Sequence, residues 1–341
     1  MKFSVGYQLM QDESFLKSII ENRAQVYEVY FAFGSFPNGR NTQNTVQAML
    51  PHEAEAQMLA DLAFLCENGI ALNLLFNANC YGKDSQSRAF YYQVGNTVDY
   101  FVERYALSSI TTTSPLIAKF IKENFARIHV RASVNMEIGT CEGMDYLADR
   151  FDGFYLKREL NRDFSAIRRM KSWCDANGKE LFMLANSGCL NFCSSHIFHD
   201  NLVAHEKDIA AMDNAYSYNG TCWEYLSKPE KQYSLVAKTN YVRPEDMALY
   251  EGLFTAAKLA TRVNSSPARV LEAYVKGKYI GAITELLEPN HSGAIYPHYL
   301  DNRRFPVDFA AHVGHCAKNC ESCNYCKQVY QNALVNLEKN L

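Results

Sequence analysis

The chain has 341 residues, of which 48% are hydrophobic and 21% are charged, so its composition is that of a globular protein with a full core. A net charge of −3 excludes a bulk basic surface of the kind that holds nucleic acid by its phosphates. No apolar run reaches the roughly 18–20 residues of a membrane helix, and the first residues lack a signal-peptide core. The sequence therefore predicts a cytoplasmic protein with no membrane partner.

Strand-like and helix-like segments alternate from the first residues onward. Apolar or β-branched runs predict strands at residues 2–7, 26–33, 70–76, 107–113, within 127–138, and at 153–156, 180–184 and 256–261. Helical patterns lie between them at 13–25, 52–68, 85–105, from 115 onward, and at 145–151, 162–177 and 244–254. This order predicts an α/β fold, a TIM-like (β/α)₈ barrel over residues 1–264. An open doubly wound sheet is the alternative, which the lack of GxGxxG after the first strand disfavours.

The last part of the chain, residues 265–341, has a different pattern. A helix is predicted from Ser266 to about Lys276, few regular signals follow in residues 289–306, and a final helix is predicted over 325–340. We interpret this part as a C-terminal extension that wraps the barrel and carries a cysteine-rich tail.

A first group of cysteines follows the seventh predicted strand. Cys189 and Cys193 are separated by three residues, and Cys222 comes later in Gly-Thr-Cys-Trp. Thiolates favour soft metals: iron–sulfur clusters, zinc or copper(I). The alternative is that these are small core residues, since free cysteine is often buried. As ligands, three thiolates would leave one position for a tail cysteine, a non-cysteine ligand or substrate.

A second group closes the chain, and its spacing is the more specific metal signal. Cys316, Cys320, Cys323 and Cys326 lie within a short run, the last three at successive CxxC spacing. Such compact runs are typical of cluster binding, whereas structural zinc sites use paired knuckles. The sequence therefore predicts one or two iron–sulfur clusters, with zinc in the tail as the alternative.

Polar residues at strand ends are the other candidates, because strand carboxyl ends line the active site of such a barrel. The residues at or near the predicted ends are Tyr7, Asn77, Asn79, Arg131, Asn135, Glu137, Lys157, Asn186, Lys258 and Arg262. Of these, Glu137, Asn186, Lys258 and Arg262 are predicted to be catalytic. Arg262 would place a fixed positive charge that suits an anionic substrate or the negative cluster.

His196 is the remaining candidate. It follows the cysteine pair on a predicted helix and shares a face with His199, so it is a possible ligand or proton donor. The alternative for all five residues is a structural one: capping loops and forming salt bridges.

These motifs together resemble the peptidase U32 (collagenase-like) family and related iron–sulfur TIM barrels, over roughly residues 1–285. The motifs are Asn-Ser-Gly-Cys-x₃-Cys at 186–193 with His196, Cys222, Tyr-Val-Arg-Pro-Glu-Asp at 241–246, and Ala-Lys-Leu-Ala-Thr-Arg at 257–262. The resemblance implies a cysteine-ligated 4Fe–4S cluster. Family members are linked to oxygen-independent ubiquinone hydroxylation and to tRNA or rRNA hydroxylation, while others carry the label of protease. This chain lacks an evident fourth cysteine in the barrel pattern and adds the tail.

The main functional hypothesis is an iron–sulfur barrel enzyme acting in redox or oxygen-independent hydroxylation chemistry. Its substrate would be a small molecule, an RNA or a peptide, and an electron-donor protein is a possible partner. A peptidase-like hydrolase with a structural cluster is the first alternative. However, neither HExxH nor GxSxG occurs in the sequence. A non-enzymatic iron–sulfur accessory or electron-transfer protein is the second alternative.

Overall fold

A closed barrel of eight parallel strands forms the centre of the molecule. The computed structural model describes residues 1–39 and 49–338. The strands are β1 Phe3–Gly6, β2 Val26–Phe31, β3 Leu72–Phe76, β4 Ser109–Thr112, β5 His129–Ala132, β6 Gly153–Tyr155, β7 Glu180–Leu184 and β8 Ala256–Leu259. Each pairs in parallel with the next, and β8 closes the ring against β1. The predicted (β/α)₈ barrel and its eight strand positions are confirmed, and the open-sheet alternative is wrong.

Helices surround the barrel. They are α1 Ser14–Glu21, α2 Pro51–Glu67, α3 Arg88–Tyr105, α4 Pro115–Asn124, α5 Cys141–Asp145, α6 Phe164–Ala176, α7 His196–Ala204, α8 Glu206–Ala210, α9 Thr221–Leu226, α10 Ser234–Ala237, α11 Pro267–Lys276, α12 Phe309–Val313 and α13 Tyr325–Ala333. Ser87, Ser114 and Asp163 cap α3, α4 and α6 by accepting from a backbone N–H three residues on. None of the helices in the described part of the chain is long and apolar enough to cross a membrane.

Three predicted helical segments differ from the structure. In the first, residues 146–150 are turns that follow α5, and in the second, residues 244–250 form a 3₁₀ helix. The predicted final helix ends at Ala333, because the next residues form β10, Leu334–Asn336, which pairs antiparallel with β9, His298–Leu300. Strand pairing thus replaces helical hydrogen bonds there, and residues 339–340 of the prediction lie outside the described residues.

The extension is tied closely to the barrel. Helix α11 packs beside α1 in the outer layer, although it lies just past the division predicted after residue 264. Beyond it, Gly188 donates to the Glu288 carbonyl at 3.0 Å, which joins the extension to the segment after β7. The division at 264 stays a prediction, and the extension shares the rim where the cysteines lie.

A charged network fills part of the barrel interior. The Arg131 guanidinium donates to both carboxylate oxygens of Glu28 at 2.6 Å. Its carbon lies 4.5 Å from the ring centre of Phe182 and 5.3 Å from that of Tyr27. Further donors to Glu28 are Ser4 Oγ, Asn73 Nδ2 and Ser109 Oγ. We call Glu28, Arg131 and these three donors the interior network. Arg131 therefore points into the barrel interior.

Candidate functional site

A polar pocket opens at the carboxyl ends of the strands. Three buried cations line it: Arg158 after β6, Lys258 in β8, and Arg262 shortly after β8. Asp200 and Glu288 line it with carboxylates. The structure thus brings the predicted candidates Lys258 and Arg262 together at the barrel mouth, with a net positive set of side chains suited to an anion.

Lys258 lies deep in this pocket against two aromatic rings. Its Nζ is 4.0 Å from the ring centre of Tyr30 and 5.5 Å from that of Tyr155. The Tyr30 hydroxyl donates to the Leu259 carbonyl at 2.7 Å, which fixes that ring. Burial, followed by the charge of Arg262, lowers the pKa of Lys258 to about 7. An amine of this pKa can take up or release a proton near neutral pH.

Arg262 depends on a glycine for its place. Its guanidinium donates to Asn38 Oδ1 at 3.0 Å. A Cβ added to Gly6 would lie 2.5 Å from Cγ of Arg262 and 2.7 Å from the Tyr30 ring. Glycine at position 6 therefore makes the room in which the cation and the ring beneath Lys258 lie side by side.

Arg158 connects the pocket to the cysteines, and the sequence reasoning missed it. Its guanidinium donates to Cys189 Sγ at 3.6 Å and to Asn135 Oδ1 at 3.2 Å, and it pairs with Glu137 at 3.4 Å. The guanidinium thus lies against one of the thiols that the sequence predicts to bind a metal. The only sequence signal was its place directly after Lys157 at the end of the sixth strand.

Glu137 and His196 lie together beside Arg158. Glu137 has φ 55°, a strained left-handed backbone of the kind found at functional sites. Its carboxylate lies 3.3 Å from Lys157 and 3.7 Å from Nδ1 of His196, whose Nε2 is 3.3 Å from Asp200. Burial, then the charge of Arg158, lowers the pKa of His196 against the opposing carboxylates. The neutral ring can therefore accept a proton.

Asn186 differs from the other four candidates. Its amide donates to the carbonyls of Ala260 and Leu286 at 2.9 and 2.8 Å, and its oxygen accepts from the Ala260 N–H at 2.7 Å. The side chain is completely buried. These contacts join the ends of β7 and β8 to the extension, so a catalytic role for Asn186 stays a prediction that this geometry does not support.

The first cysteine group lies near the pocket, with Cys189 in the pocket lining. Cys189, Cys193 and Cys222 are all half-buried. Burial raises the pKa of Cys222 to about 11, and the charges of Cys189 and then Cys193 add to that rise. Cys222 therefore lies within electrostatic range of the pair, although two helices separate it from them in the chain.

The four tail cysteines also gather in space. All of them line one small cavity beside α12 and the start of α13. Burial raises the pKa of Cys326 to about 11, which Arg162 opposes and the other three tail cysteines reinforce. A second cavity is lined both by Cys316, Cys320 and Cys326 and by residues 191 and 192 of the first cysteine loop.

Glu159 ties the tail to the first cysteine loop. Its carbonyl accepts from Lys318 Nζ at 3.1 Å, and its carboxylate accepts from the Phe192 N–H at 3.0 Å. Lys157 lies 2.9 Å from the same carboxylate. The tail and the barrel rim are therefore adjacent, which the sequence could not show.

The donor chemistry at both groups fits a soft metal or an iron–sulfur cluster. In residues 1–39 and 49–338, no three His, Cys, Asp or Glu side chains are arranged as a metal-ion site. Because thiols bind metals only as thiolates, and burial raises the pKa values of Cys222 and Cys326, metal loading would release protons. The ligand sets stay predictions that the chemistry of the residues supports.

Comparisons with known proteins agree with the fold. No model of a known protein family matches the chain. The uncharacterized protease MJ1657 of Methanocaldococcus jannaschii is 25% identical over 320 residues, 92% of this chain and 90% of that protein. The U32 peptidase Mk0906 superposes with a TM-score of 0.52 at 15% identity, over 76% of this chain and 91% of that one. The resemblance to the U32 peptidases and related barrels, which the sequence predicts, is thereby confirmed.

Proposed function

We propose that the chain is an iron–sulfur barrel enzyme that modifies an anionic substrate by redox or oxygen-independent hydroxylation chemistry. One observation carries the proposal: Cys189 belongs to the rim group of three thiols and also lines the pocket that holds Lys258 and Arg262. A metal centre on that thiol would adjoin a substrate in the cationic pocket. The substrate classes are a small molecule, an RNA or a peptide that presents an anionic group there.

The chain's own residues have separable tasks in this scheme. A bound 4Fe–4S cluster supplies electrons at a potential set by the charges around it. Arg158, donating to Cys189, offsets the negative charge of the thiolates. Lys258 and Arg262 hold the anionic group, and His196, between Glu137 and Asp200, takes up or returns a proton.

The tail is proposed to hold a second cluster, with zinc as the alternative. Three tail cysteines share a cavity with residues 191 and 192 of the first cysteine loop. Electrons from a donor protein would therefore pass through the tail cluster toward the barrel. The protein is proposed to act in the reducing cytoplasm, where thiols stay available as ligands.

Anaerobic purification, a visible spectrum and iron and sulfide analysis test the proposal. Two clusters correspond to about eight irons per chain, and one cluster to about four. Cys189→Ser and Cys323→Ser should each remove about half of the iron. Cys66→Ser is the matched control, because that thiol lies on α2, donates to the Tyr105 carbonyl at 3.2 Å and lines neither the pocket with Cys189 nor the tail cavity. A colourless protein that binds zinc alone would refute the iron–sulfur function.

A hydrolase is the second candidate, because the similar proteins are named as a protease and a U32 peptidase. In the described residues the hydrolytic groups would have to be His196 with Asp200 and Glu137. Peptide cleavage that is lost in His196→Asn but retained at full rate in Cys189→Ser would favour the hydrolase over the redox enzyme.

A further inference from the structure

His291 is a buried histidine for which the scheme above has no use. Its side chain is 1% exposed, and within the described residues neither ring nitrogen has a hydrogen-bond partner. Its backbone lies in the left-handed region, with φ 52°. Leaving a buried polar group unsatisfied costs about 1–3 kcal/mol, so two unpaired ring nitrogens in one place require a reason.

The ring lies near the chain neighbours of two cysteines of the first group. Its centre is 4.8 Å from that of Trp223, the residue after Cys222. The backbone of Gly188, one residue before Cys189, opposes the effect of burial on the pKa of the ring, although the contact is outside hydrogen-bond geometry.

The backbone holds this arrangement in place. Ser187 and Glu288 form a parallel bridge, and Gly188 donates to the Glu288 carbonyl at 3.0 Å. A Cβ at Gly188 would clash with the Pro289 carbonyl, so only glycine allows the two segments to approach this closely. The chain thus delivers His291 from the extension to the cysteine rim.

We propose that His291 is the fourth ligand of the metal centre held by Cys189, Cys193 and Cys222. The assignment rests on the proposed iron–sulfur function. One ring nitrogen would bind the metal while the other donates to the Gly188 carbonyl, the arrangement by which proteins usually orient a ligating histidine. The other source of a fourth ligand, the tail, already has its four cysteines around a cavity of its own.

This ligand would change how the site works. With all four positions filled by the chain, the centre would have no open iron for substrate and would act by electron transfer to a molecule in the pocket. A neutral imidazole in place of a thiolate makes the centre less negative, and histidine ligation raises the potential of such clusters.

Nitrogen hyperfine spectroscopy of the reduced protein, prepared with isotopically labelled histidine, tests the assignment. Every sample also carries Cys323→Ser, so that the proposed tail cluster contributes no signal. We expect a coupled histidine nitrogen that is present in His199→Gln and lost in His291→Gln. His199 is the matched control, since its ring also packs edge-on against an aromatic ring, that of Tyr218 at 5.6 Å.

A second variant covers the case in which His291→Gln loses its iron. His291→Cys should keep the iron of the barrel group, lose the nitrogen coupling and have a lower midpoint potential than the wild type. Barrel iron without any histidine coupling, or coupling that persists in both variants, would overturn the ligand assignment alone. A wild-type protein from which Cys189→Ser removes no iron would instead overturn the proposed function, and this assignment with it.

Discussion

Two arginines in one barrel have opposite surroundings. Arg131 directs its guanidinium at a single carboxylate, with both contacts to Glu28 at 2.6 Å and an aromatic ring within 5.3 Å. Arg158, at the mouth, spreads longer contacts of 3.2–3.6 Å over an amide, a carboxylate and a thiol. Arg131, whose short contacts all go to one carboxylate, stabilises the fold. Arg158, whose longer contacts are divided among three groups, can still bind a ligand.

The interior network should give the largest loss of stability. Glu28→Ala would leave the guanidinium of Arg131 buried and unpaired, since that side chain is only 4% exposed. Breaking such a pair from one side costs about 3–5 kcal/mol. Urea unfolding followed by circular dichroism should show this loss in the free energy of unfolding.

The control for that prediction replaces both partners. Glu28→Leu combined with Arg131→Met should recover most of the lost stability, because neither charge is then buried alone. A loss below about 1 kcal/mol in Glu28→Ala would place the interior network in the same class as surface ion pairs.

The difference between the interior network and the barrel mouth also explains which features the sequence could predict. The strand positions follow from apolar runs of the right length, and Lys258 and Arg262 follow from their place at a strand end, so barrel and mouth were both predictable. The pairing of Glu28 with Arg131 joins non-adjacent strands, β2 and β5, and no local pattern encodes it.

Arg158 and His291, which the sequence did not predict, also depend on contacts between segments that are far apart in the chain. Arg158 is defined by its contact with Cys189, which lies beyond another helix and strand. His291 reaches the rim only because the extension pairs with the segment after β7. The spacing of the cysteines indicates the donors, but which of them meet is decided by contacts between distant segments such as that of Glu159 with Lys318.

Lys258 provides the next largest effect, since it is a mouth cation that is only 8% exposed. Its pKa of about 7 in the folded protein lies below the value near 10.4 for an unfolded chain. Between these pH values the unfolded chain binds a proton that the folded protein does not. The free energy of unfolding should therefore rise with pH, by up to about 1.4 kcal/mol for each pH unit.

Lys258→Met removes this dependence. The variant should be more stable than the wild type at pH 7, and its advantage should shrink as the pH is raised toward 9. Lys119→Met is the control, because that side chain is exposed on α4 and is in water in both states. Parallel curves for the wild type and Lys258→Met would show that the amine keeps its charge in the pocket and that the mouth is wetter than this structure indicates.

Arg158→Met should have the smallest effect on stability and a clear effect on the metal centre. Glu137 keeps Lys157 at 3.3 Å and is 22% exposed, so losing one of its cations should cost about 1 kcal/mol. If the proposed cluster is bound at Cys189, removing a positive charge next to it disfavours the reduced form. The midpoint potential of that proposed centre should then fall, as measured by a redox titration of its spectrum. Arg158→Lys, which keeps the charge, should stay nearer the wild type. If Arg158→Met instead lost several kcal/mol with an unchanged potential, Arg158 would be a structural cation like Arg131, and the contrast between interior and mouth would not hold.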